Sequence, residues 1–244
     1  MKTFKSIIIE ELWKLLNQKI LVNFIFFGIV FLDALGAILP KYLDRKVTMF
    51  AAFPLILYIY LLNASKKNIL FIISLFFNFL GIYNFNNPYE RYNSAGLIYH
   101  TIAFFIYCII LFRDIQIINW KTVLKLALPI VLFVLISVSI YSDGMRTMLV
   151  FKETILYVSS ATIFMLGTFL LSLNKKSKVN YTLMLSGIFI LLSSVFQGYN
   201  LFLEKNKFLG FFAIIFFNLT HYLVCLYLIK KSNGLSLNQK EVES

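Results

Sequence analysis

The sequence predicts an all-α integral membrane bundle of eight transmembrane helices, and three observations carry that expectation. Of its 244 residues, 60% are hydrophobic and only 14% are charged, with a mean hydropathy of +0.81. A soluble domain has about half apolar and about a quarter charged residues. A soluble enzyme, a disordered chain and a secreted disulfide scaffold are therefore excluded. Second, apolar runs long enough to cross a bilayer recur between charges and turn residues. Third, Lys and Arg gather in the short connections between those runs.

A transmembrane helix needs about 17 to 25 mostly apolar residues. The runs that qualify are 20–39, 47–63, 69–85, 95–112, 123–141, 154–173, 181–203 and 208–229. Pro40, Pro88, Asp143-Gly144 and Asn174 fall at or near their ends and mark short connections. Residues 1–19 hold Glu10 and Glu11 and lack a small-residue cleavage site, which argues against a signal peptide. Their apolar Ile8, Leu12, Leu15 and Leu16 recur at helical spacing. That fits either a segment lying on the membrane surface or a cytosolic lead-in. Residues 230–244 form a polar tail, and no stretch is long enough for a separate soluble domain.

The net charge of +12 would suit nucleic acid if it covered one face. Instead the cations cluster between apolar runs, as in Lys66-Lys67, Lys175-Lys176 and Lys230-Lys231, so nucleic-acid binding is discarded. The N-terminal segment, the tail and the connections after spans two, four and six hold 15 of the 23 Lys and Arg. The positive-inside rule then puts both termini in the cytoplasm. Cys108 and Cys225 lie inside apolar runs and read as small core hydrophobes rather than a disulfide or metal pair.

An internal echo is visible. Span three carries Phe79, Gly81, Tyr83 and Asn84, and span seven carries Phe196, Gly198, Tyr199 and Asn200. Each is followed by a span with an early glycine (Gly96, Gly210), one histidine (His100, His221) and one cysteine (Cys108, Cys225). Two parallel four-helix repeats would produce this pattern; so would chance matching in a chain with 27 Phe.

Ionisable groups at membrane depth are costly, and each is a functional candidate. Asp33 is the one carboxylate well inside a span, and His100 and His221 are the only histidines. Counted at ~1.5 Å per residue from the cytoplasmic ends, Asn78 lies at about 14 Å, His100 at about 18 Å, and Asp33 and Ser194 at about 20 Å. These four can share one polar layer, with His221 and Asn218 deeper toward the cytoplasm. Asp33 beside His100 would make a coupled proton donor and acceptor, the candidate catalytic pair. The alternative is that both serve as hydrogen-bonded glue between helices. Asn78, Ser194, Asn200 and His221 are the candidate substrate-binding residues. No metal-ligand spacing, phosphate-binding glycine loop or nucleophile elbow occurs, so no metal or cofactor is expected.

Four segments carry a family resemblance. Span two opens with Arg45-Lys46-Val47-Thr48, then Pro54-Leu55. Span four reads Gly96-Leu97-Ile98-Tyr99-His100, followed by Tyr107. Span seven reads Ser193-Ser194, Gly198, Asn200 and Phe202, and span eight has Thr220-His221-Tyr222. The order resembles the YhhN-like family, the transmembrane lysoplasmalogenases. That resemblance implies cleavage of the vinyl-ether bond of a lysophospholipid, a membrane lipid as partner and a bacterial inner membrane as location. The family supplies an Asp in a Gly-Asp pair in span three and another in a Ser-Asp pair in span seven. Here those positions are Asn78 and Ser194, which cannot serve as carboxylic acid and carboxylate. Either the fold persists with lost or altered activity, or Asp33 and His100 take over proton transfer. A non-catalytic lipid- or small-molecule-binding protein and a small transporter stand as alternatives.

Overall fold

The computed structural model describes residues 19–85, 90–115 and 120–242. The expectations for the N-terminal segment up to residue 18 and for Pro88 lie outside the described residues. The described chain forms eight helices and no strand. They are α1 Lys19–Ile38, α2 Thr48–Asn63, α3 Ile69–Phe85, α4 Glu90–Phe112, α5 Trp120–Thr147, α6 Phe151–Asn174, α7 Lys178–Phe202 and α8 Lys207–Val242. Six are long and apolar enough to cross a membrane. The other two, α2 and α3, are apolar but have 16 and 17 residues. Helices suit this composition because hydrocarbon offers backbone N–H and C=O groups no partner, and a helix pairs them internally.

Polar side chains start several of these helices. Ser177 caps α7 by accepting from Asn180 N. Asn206 accepts from the backbone N of Phe208 and Leu209 and so starts α8. Asn68 accepts from Leu70 N and donates its own N–H to the Tyr60 hydroxyl, which ties the start of α3 to the end of α2. Such caps satisfy N–H groups that the first helical turn leaves without partners.

Two boundaries differ from the sequence expectation. Asp143-Gly144 does not end the fifth helix, which runs through to Thr147. Gly144 sits against the Phe202 carbonyl so closely that a Cβ would collide with it. The glycine serves a close helix approach there, not a turn. Likewise α8 continues past Ile229, its expected end, to Val242.

The bundle is built from hairpins. Helix α3 packs on α4 and α7 on α8, while α4 also packs on α6, and α8 on α1 and α2. Helix α5 packs mainly against α6 and α7, and its Leu124, Leu128, Leu132, Leu135 and Ile136 are exposed. The apolar core includes Phe26, Ile56, Tyr60, Phe71, Phe104, Tyr107, Phe164 and Cys225, and takes no residue from α5. These residues come from the first halves of α1 and α3 and the second halves of α2, α4, α6 and α8. One half of the bundle is therefore packed solid. The other half, where α1, α3, α5 and α7 end, holds a cavity.

Candidate functional site

The cavity has a volume of about 650 Å³ and takes lining residues from all eight helices. That is within the usual range for a small-molecule site, about 300 to 1,000 Å³. Its walls are mainly apolar, with Phe85, Leu97, Phe133, Val134, Val138 and Phe217 among them. Polar groups occur at two levels. Asp33, Arg45, Asn200, Lys205 and Lys207 come from near the helix ends, while His100, Tyr157, Ser194 and Asn218 come from further along their helices.

Asp33 is 3% exposed. Arg45 reaches it from the α1–α2 connection, donating from Nε to Oδ1 at 2.9 Å and from Nη2 to Oδ2 at 3.4 Å. Thr48 Oγ1 donates to the same Oδ1 at 3.3 Å. Gly36, one turn after Asp33, makes the approach possible, because a Cβ there would overlap the Arg45 side chain. The coupled Asp33–His100 pair expected from depth counting is corrected by this geometry. Both residues line the cavity, but the carboxylate is held by a guanidinium and the imidazole by an amide. Depth along two helices does not determine which faces meet, and a buried carboxylate is best stabilised by a fixed cation.

His100 is buried against Gly81, where an added Cβ would lie 2.5 Å from ring atoms Cε1 and Nε2. Its Nδ1 is 2.8 Å from Asn78 Oδ1. Asn78 donates its amide N–H to Ser74 O at 3.1 Å, which orients its oxygen toward the imidazole. An amide oxygen only accepts, so Nδ1 carries the proton in this arrangement and Nε2 keeps the lone pair. Phe85 stacks on the ring with centroids 5.7 Å apart, and Phe217 meets it edge-on at 5.2 Å. Asn78 therefore orients His100 and does not itself line the cavity.

Ser194 lines the cavity, but its hydroxyl proton goes to Ile190 O at 2.8 Å, and its oxygen lies 3.2 Å from the Tyr157 hydroxyl. With its proton committed, Ser194 accepts from Tyr157 and is poorly placed as a nucleophile. Neighbouring Ser193 donates to Ala213 O at 2.8 Å and joins α7 to α8. Asn200 also lines the cavity and accepts from Asn206 N at 2.6 Å, closing the α7–α8 connection. His221 lies outside the lining. It is fully buried, its Nδ1 is 2.9 Å from the Tyr107 hydroxyl, and Phe53, Phe104 and Phe217 surround it.

Sequence reasoning passed over Tyr157 and Thr154, which share one face of α6 three residues apart and both line the cavity. Their spacing at the start of an apolar run was the available signal. Arg45 entered only through the family resemblance, since a residue in a connection shows no membrane depth. Two lining side chains, Thr154 and Asn218, are each 4% exposed and carry an oxygen without a hydrogen-bond partner. Buried polar atoms nearly always have partners, so these two are equipped for a polar ligand or water. Among the described residues no cluster of His, Cys, Asp or Glu could hold a metal ion.

Comparison with family models, curated proteins and solved structures finds no match to this chain.

Proposed function

We propose that this chain is a multi-pass membrane protein that holds a single-chain amphiphile, of the lysophospholipid kind, within its bundle. The cavity carries the reading. Its walls are apolar, its deeper surface bears His100, Tyr157, Ser194 and Asn218, and its outer residues include the cations Arg45, Lys205 and Lys207. A single acyl chain with a polar glycerol end matches that division, whereas a fully polar solute would leave the apolar walls wet. The route from the bilayer runs beside α5, which borders the cavity and packs mainly on two neighbours. Native mass spectrometry of protein extracted in mild detergent tests the reading. A stoichiometric lysophospholipid adduct is expected, and a chain that takes up none at saturating lipid would contradict it.

All eight helices cross the bilayer in this reading, with both termini cytoplasmic. Support comes from the alternation around the cavity. Odd-numbered helices line it with their C-terminal halves and even-numbered ones with their N-terminal halves, α2 and α3 included. Up-and-down traversal explains that alternation, and the mouth then faces away from the more basic side. The two-repeat reading also gains a geometric argument. Cys108 of α4 donates to Ser160 O of α6, and Cys225 of α8 donates to Ile56 O of α2, each at 3.8 Å. These contacts correspond if α1–α4 map onto α5–α8.

A second reading, hydrolysis of a lysoplasmalogen, is favoured by one observation: His100 has an orienting partner on Nδ1. In that reaction an acid protonates the vinyl carbon, and water adds to the resulting oxocarbenium carbon and yields its proton to a base. The hemiacetal collapses to a fatty aldehyde and a glycerophospho alcohol. With Asp33 paired to Arg45, His100 would first have to take up a proton on Nε2, give it to the vinyl carbon and then regain one from the attacking water. Aldehyde trapping with purified protein decides between the readings: release lost in His100→Ala supports hydrolysis, and no release from the wild type leaves binding alone.

A further inference from the structure

The ionic groups lining the cavity are three cations, Arg45, Lys205 and Lys207, and one anion, Asp33. Arg45 is neutralised by Asp33. Lys205 and Lys207 enter no ion pair among the described residues, and with Glu204 in the same exposed turn the α7–α8 side keeps one net positive charge. They flank Asn206, whose backbone N–H is held by Asn200 and whose side chain caps α8. The turn carrying both lysines is thus fixed at two points, and the positive end of the α8 dipole adds to the field there. Asn200 contributes an amide nitrogen that is buried and without a partner. In the same cavity Thr154, near the start of α6, and Asn218, further along α8, offer buried oxygens, also without partners.

We propose that Lys205 and Lys207 form a phosphate subsite, making the preferred occupant an anionic single-chain glycerophospholipid. Its phosphate sits between the two ammonium groups, with the Asn200 amide as an additional donor. Its glycerol hydroxyl and ester groups meet Thr154 and Asn218, and its chain runs along Phe133, Val134 and Val138. This inference rests on the amphiphile reading and adds the headgroup to it. Phosphate is the shared chemistry of a lipid headgroup and of a soluble phosphoester, and the test separates them.

The full chain is reconstituted in nanodiscs of zwitterionic lipid, and binding is measured for three probes. These are an acylglycerol phosphate, the monoacylglycerol of the same chain and glycerol phosphate. Lysines near a membrane surface give on the order of 1 kcal/mol each toward an anion. The acylglycerol phosphate should therefore bind on the order of tenfold more tightly than the monoacylglycerol. The double variant Lys205→Gln/Lys207→Gln should abolish that preference and leave the monoacylglycerol affinity unchanged. Both side chains are exposed, so the variant retains the packed core. A preference that survives in the double variant overturns the subsite. So does glycerol phosphate binding as tightly as its acylated form, which would make the ligand a soluble phosphoester. Equal binding of the two acyl lipids by the wild type overturns the headgroup inference alone, whereas binding of neither overturns the amphiphile reading beneath it.

Discussion

Arg45→Gln is expected to destabilise the protein more than Asp33→Asn, although each removes one half of the same ion pair. Asp33 is 3% exposed, and once Arg45 is gone its hydrogen-bonding partner is Thr48 at 3.3 Å. A buried charge stripped of its partner costs about 3 to 5 kcal/mol. The Arg45 side chain is 33% exposed, so solvent already screens part of the interaction, and about 2 to 3 kcal/mol is the better estimate. For a chain of this size that is a fall in Tm of about 5 to 10 °C. Asp33→Asn leaves an arginine that can turn to water, with a loss of about 1 kcal/mol. The double variant Asp33→Asn/Arg45→Gln removes both charges and should recover most of the stability lost in Arg45→Gln. Thermal unfolding in one detergent, read as a double-mutant cycle, measures the coupling. Equal losses in the two single variants, with additive loss in the double, would refute the pairing as the reason Asp33 is tolerated at depth.

Three further outcomes follow from the same geometry. Gly81→Ala places a Cβ 2.5 Å from the His100 ring; the ring must shift, at a cost of about 1 to 3 kcal/mol, with weaker lipid binding in a native mass spectrometry titration. Asn78→Leu frees His100 Nδ1 and leaves it buried without a partner, at a cost of about 1 to 3 kcal/mol; unchanged unfolding would mean that the amide does not hold the imidazole. Cys108 and Cys225 are free and buried; maleimide should label neither in the folded protein and both after denaturation, and rapid native labelling would contradict the packing of α4 on α6 and α8 on α2.

Much of the fold was legible because a bilayer imposes a coarse rule. Apolar runs bounded by charge become helices, and runs such as 154–173 and 69–85 match α6 and α3 closely. Asp143-Gly144 misled because a glycine marks either a turn or a close helix contact, and only the neighbouring Phe202 carbonyl distinguishes them. The site was legible in part. Asp33, His100, Ser194 and Asn200 do border one cavity, since costly side chains at depth collect where a bundle leaves room. Their pairings were not legible, because depth along a helix leaves its rotation open. Asn78 thus serves His100, Arg45 claims Asp33, and His221 pairs with Tyr107 away from the cavity. Lys205, Lys207 and Tyr157 escaped notice because charged connections and aromatic residues are everywhere in this chain.

The most direct test of amphiphile binding is photocrosslinking with a lysophospholipid that bears a diazirine on its acyl chain, followed by peptide mapping. Adducts should concentrate on residues 133–141 of α5 and 191–202 of α7, and excess unlabelled lysophospholipid should displace them. Adducts confined to outward-facing positions such as Phe24 and Phe76, with no competition, would contradict a lipid held inside the bundle.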